Sequence, residues 1–83
     1  MSYSVEWSPT AEKRLSKLET KWIKEIVKKV EIIKENPVHY SKKLENSKLW
    51  RLRVGDYRVI IDIDFTNKKI IVLSLGHRKE IYK

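Results

Sequence analysis

The chain has 83 residues, the length of one compact domain (residues 1–83) that buries only about 60% of its unfolded surface, which excludes a large enclosed cofactor chamber. Nineteen Lys and Arg against eleven Asp and Glu leave a net charge of +8, and no stretch approaches the roughly 18 apolar residues that cross a bilayer. With no cysteine there is no disulfide, thiol nucleophile or Cys-ligated metal, and His39 and His77 are too far apart in sequence to suggest structural zinc.

The first predicted element is a strand in which Tyr3, Val5 and Trp7 alternate with Ser4 and Glu6. The segment lacks the charged and then apolar run of a secretory signal, so the expected location is the cytoplasm. Ser8 and Pro9 stop the strand and start a helix: Ser8 can accept from a free backbone N–H as N-cap, Pro9 fits the first helical position, and Glu12 suits the positive end of the helix dipole. Ala11, Leu15 and Leu18 form its apolar stripe. After a break at Glu19 and Thr20, Trp22, Ile23, Ile26, Val27, Val30 and Ile33 recur at helical spacing among lysines and glutamates, and Asn36-Pro37 ends that second helix.

Residues 37–47 have no sustained periodicity and read as a loop. Three strands follow, Leu49 to Val54, Tyr57 to Asp64 and Lys69 to Gly76, separated by Gly55-Asp56 and by a turn near Thr66-Asn67-Lys68. The expected fold is α+β: a β-α-α-β-β-β chain whose helical hairpin covers one face of a mainly antiparallel four-stranded sheet.

The charge is uneven along this order. Residues 1–40 hold eight Lys/Arg and six Asp/Glu, whereas residues 41–83 hold eleven and five. Partner-facing chemistry is therefore expected in the second half. If Gly55 and Asp56 are the central residues of a tight turn, Arg53 lies opposite Arg58 and Arg51 opposite Ile60. Trp50, Leu52, Val54, Tyr57, Val59 and Ile61 then face the helices, and Arg51, Arg53 and Arg58 face the other way, exposed. Like charges directly across an antiparallel pair cost a few tenths of a kcal/mol to about 1. A bound anion relieves that cost, and arginine can hold a phosphate bidentately and stack on a base. The alternative is that these are solubility charges, partly paired with Asp62 and Asp64.

The run Leu49-Trp50-Arg51-Leu52-Arg53-Val54-Gly55-Asp56-Tyr57-Arg58-Val59-Ile60, followed by an apolar strand and Gly76-His77-Arg78-Lys79-Glu80-Ile81-Tyr82, resembles the RelE/ParE superfamily of toxin–antitoxin toxins. Its RelE-like branch is the closer match to the expected site. That resemblance implies a toxin that cleaves mRNA in the ribosomal A site without metal or cofactor, by attack of a 2′-OH on the adjacent phosphate. It implies catalytic roles for Arg51, Arg53, Arg58, Arg78 and Tyr82, with Arg51, Arg53, Arg58, His77 and Lys79 contacting RNA. It also implies a short RelB-like antitoxin with an amphipathic helix and acidic residues, besides the ribosome and mRNA as partners, and no membrane.

With arginine where the family commonly has lysine, Arg51 and Arg53 act as electrostatic clamps rather than proton shuttles. Tyr82 is the base candidate, although a free phenol has a pKa of about 10 and needs nearby cations to ionise at neutral pH. Arg78 or His77 is the candidate acid. Two other functions fit the same residues: a ParE-like toxin that inhibits DNA gyrase, and a non-catalytic nucleic-acid or antitoxin binder.

Overall fold

A computed structural model describes residues 2–77 and Lys79. The chain runs β1 (Ser4–Trp7), α1 (Pro9–Ser16), α2 (Thr20–Ile33), α3 (Pro37–Tyr40), β2 (Lys42–Lys43), β3 (Trp50–Val54), β4 (Tyr57–Asp64) and β5 (Lys69–His77). The sheet order is β1-β5-β4-β3-β2; β1 pairs with β5 in parallel and the other pairs are antiparallel. The α+β class and the helical layer agree with the sequence reading, but the sheet has five strands rather than four. The residues taken as a loop contain the short helix α3 and the two-residue strand β2, both too short to leave a periodic pattern.

The core is the seam between the helices and one sheet face. Ala11 from α1 and Ile26, Val30 and Ile33 from α2 meet Leu52, Val54, Val59, Ile61, Ile63, Ile70, Val72 and Leu75 from the sheet, all buried. Ile26, Val30 and Ile33 are spaced by four and three, so one narrow stripe of α2 carries its burial. Val27, included in the broader stripe read from the sequence, is exposed.

Ser8 joins the two layers. Its Oγ accepts from the Ala11 N–H at 3.1 Å as N-cap of α1 and donates to the Leu73 carbonyl at 2.8 Å. Leu73 is the extra residue of a β-bulge: Ile60 pairs with Ser74 and Ile61 with Val72, leaving Leu73 without a register partner on β4. One inserted residue inverts the facing of everything beyond it. Leu75 is thereby turned into the core and Ser74 out of it.

The β3–β4 turn is fixed by a glycine and a tryptophan. Gly55 has φ of +58°, the sign that a type II′ hairpin turn needs at its first central residue. A Cβ there would lie 2.6 Å from two ring carbons of Trp22, at the start of α2. Trp22 also packs on Tyr57, ring centroids 5.1 Å apart. The tip of the hairpin is therefore held against α2.

Candidate functional site

The hairpin register is the one expected from the sequence: Arg53 pairs with Arg58, Leu52 with Val59 and Arg51 with Ile60. Leu52, Val54, Val59 and Ile61 are buried under the helices. Arg51, Arg53 and Arg58 share the opposite face. Beyond them, Lys42 of β2 pairs with Arg51 and Gly76 of β5 pairs with Arg58. Two cross-sheet rows result, Lys42-Arg51-Ile60-Ser74 and Arg53-Arg58-Gly76. Register partners stand about 4.5–5.5 Å apart at Cα, so the four cations are close neighbours. Lys42 was not visible from the sequence because its strand was not.

The acidic residues of β4 have partners toward the far end of the strand. Asp62 pairs with Lys48 at 3.7 Å. Asp64 accepts from the Asn67 side chain at 2.8 Å and from the Asn67 backbone N–H at 3.0 Å, closing the β4–β5 turn. These two hydrogen bonds, helped by the charge of Lys69, hold the Asp64 carboxyl below the ordinary aspartate value. Lys69 itself pairs with Glu6 at 3.1 Å. The open face thus carries its acids toward one end and its basic residues toward the other, cationic end.

Arg58 corrects the sequence reading. It was expected to be exposed and is 8% exposed, with its Nε and Nη1 shut off from solvent. Arg53, its partner across the hairpin, is exposed. Burial lowers the local dielectric and strengthens the interaction of the Arg58 charge with any phosphate brought to it.

His77 lies on the other face: it pairs with Tyr57 on the helix-packed side, ring centroids 5.7 Å apart and edge-on. The Leu73 bulge is the reason, since an unbulged β5 would turn residue 77 to the arginine side. The break in alternation between Val72 and Leu75 was the available signal. Lys79 is exposed just past the strand, and its backbone N–H donates to His77 Nδ1 at 3.3 Å.

Arg78 and Tyr82 lie outside the described residues. β5 ends beside Tyr57 and Arg58, so the chain leaves the sheet at the cationic end. Among the described residues, no group of three His, Cys, Asp or Glu side chains could hold a metal ion, and no helix is long and apolar enough to cross a membrane.

The sequence also matches, over residues 5–82, the family model for the ParE toxin of type II toxin–antitoxin systems, parDE. The chain belongs to the RelE/ParE superfamily of toxins. It is 33% identical over 87 residues to a protein named as toxin RelE4 from Methanocaldococcus jannaschii, across 98% of this chain and 92% of that one. Its fold is similar to the archaeal RelE–RelB complex of Pyrococcus horikoshii, with a TM-score of 0.83, 30% identity and coverage of 96% of this chain and 99% of that one. It is likewise similar to the RelBE2 toxin–antitoxin complex of Mycobacterium tuberculosis, with a TM-score of 0.85, 25% identity and coverage of 94% and 100%. The protein is thus a type II toxin, and its family model carries the ParE name while these relatives carry the RelE name.

Proposed function

We propose that this toxin is a ribosome-dependent endoribonuclease that cuts mRNA. The observation that carries the reading is the joint placement of Arg51, Arg53 and Arg58 on one sheet face, at the end where the chain leaves β5. In the proposed reaction a 2′-oxygen attacks the adjacent phosphorus, its proton goes to a base, and the bond to the 5′-oxygen breaks as that oxygen takes a proton. The products are a 2′,3′-cyclic phosphate and a 5′-hydroxyl.

Charge builds on the non-bridging oxygens during that displacement, and fixed guanidinium groups lower its energy without reorganising. Arg58, shielded from water, supplies the strongest field, and Arg51 and Arg53 clamp the flanking backbone. Tyr82 is the base, and Arg78 stabilises the charge on the leaving 5′-oxygen, which takes its proton from water. Guanidinium groups are poor proton shuttles, so the site relies on the ribosome to hold the message in line. The cytoplasm is the matching location, and an acidic RelB-like antitoxin would inhibit by covering the cationic end.

The ParE name of the family model favours a second reading, inhibition of DNA gyrase. Primer extension on a defined mRNA in a translating extract, run beside a gyrase supercoiling assay, separates the two. Cleavage within codons with supercoiling intact is expected. Whole message with blocked supercoiling would replace the proposal by the second reading.

A further inference from the structure

On the helix side of the sheet, at the same end as Arg58, α1 and the end of β5 enclose a cleft of about 720 Å³, a volume in the range of about 300–1,000 Å³ that small ligands fill. Its rim carries Lys13 and Arg14 from α1 and Lys17 at the helix C-cap, all exposed, and its wall carries Tyr57 and His77. The floor is aliphatic, from Leu18 and Leu75. Arg14 Nη1 donates to the Leu75 carbonyl at 3.4 Å, which ties α1 to the strand beneath. Among the described residues no acidic side chain lines the cleft, and none of the ion pairs they form involves Lys13, Arg14 or Lys17.

Lys13 and Lys17, one helical turn apart, repel each other, as do Arg14 and Lys17. A solvated helix avoids this by alternating sign; a site for an anion uses it. The aromatic pair beside the cations selects among anions, because a base can stack where a carboxylate has nothing to offer. The cleft lies at the same end of the sheet as the arginine face: Tyr57 and Gly76, which line it, are the chain neighbour and the register partner of Arg58.

We propose that this cleft binds one nucleotide of single-stranded RNA, its phosphate on Lys13 and Lys17 and its base against Tyr57 and His77, next to the nucleotide held at Arg58. The assignment rests on the endonuclease reading for the identity of the strand, and it gives His77 an RNA contact on the face opposite the arginines.

Fluorescence anisotropy with a labelled 12-nucleotide oligouridylate at low salt tests the site without requiring cleavage. The double variant Lys13→Ala/Lys17→Ala is expected to bind about tenfold more weakly, and its slope of log affinity against log salt to fall by about 0.7 for each phosphate contact removed. Thermal melting checks that the variant folds, as both side chains are exposed. His77→Ala is expected to lose most of the preference for the oligonucleotide over an abasic strand of equal length. Unchanged affinity and slope in the double variant overturn the proposal even if the wild-type toxin cuts message. An unchanged preference for bases in His77→Ala overturns it too. Weaker binding only of an acidic peptide, with RNA binding intact, overturns it in favour of a protein-docking face. The expected losses support it even if message stays whole, in which case the nuclease reading alone fails.

Discussion

Arg53 and Arg58 face each other across one pair of strands yet differ in what their loss should do. Arg53 is exposed on the outer part of the hairpin, so Arg53→Ala is expected to change stability by no more than about 0.5 kcal/mol. Its effect should appear in cleavage, down about 100- to 1,000-fold, the usual cost of one lost stabilising donor. Arg58 is buried, so Arg58→Ala is expected to lower cleavage and also to destabilise by about 1–3 kcal/mol. Thermal melts beside rates of message cleavage check both variants. Gly55 acts through geometry alone. Gly55→Ala imposes a positive φ on a side chain and drives its Cβ into Trp22, at a cost of about 1–3 kcal/mol. That corresponds to a lowered Tm at roughly 4–8 °C per kcal/mol.

At the scale of elements, Ser8 is the most informative single contact, because one hydroxyl caps α1 and binds the bulge of β5. Ser8→Ala removes both hydrogen bonds and is expected to destabilise by about 1–2 kcal/mol, measured by denaturant unfolding. The cap was legible in the Ser8-Pro9 pair; the bond to Leu73 was not, because a bulge appears in the sequence only as a missed beat between Val72 and Leu75. The hairpin behaved in the opposite way: Gly55-Asp56 fixes the turn, the turn fixes the register, and the register fixes the arginine face. What the register of two strands could not disclose was the third. The burial of Arg58 is not set by the hairpin register, and Lys42 joins the face only through β2. The β4–β5 turn carries a pH dependence of definite sign. Asp64 has a folded-state value below the ordinary 3.8, so its contribution is present above that ordinary value and lost as pH falls through the folded one. An NMR titration of its carboxyl should have a midpoint below 3.8, and Asn67→Ala should bring the midpoint back toward it.

For the molecule as a whole, the sheet separates two kinds of surface at one end. One face presents arginines, including one withdrawn from water; the other presents the α1 cleft, whose cations come from the half of the chain where charge is nearly balanced. The count of charge by halves therefore pointed to the hairpin and missed α1, since the fold brings residues 13–17 to the end of β5. A polyanion threaded past the end of the sheet would meet cations on both sides, which suits a toxin whose proposed substrate is a strand presented by the ribosome. Purified ribosomes loaded with a defined mRNA, mixed with wild-type toxin or with Arg53→Ala and sampled over time, test this directly through the chemistry of the cut ends. Rapid cutting by the wild type to a 2′,3′-cyclic phosphate and a 5′-hydroxyl is expected, with slowing of about 100-fold or more in the variant. Message that stays whole on active ribosomes, or cutting at the same rate without Arg53, would contradict it.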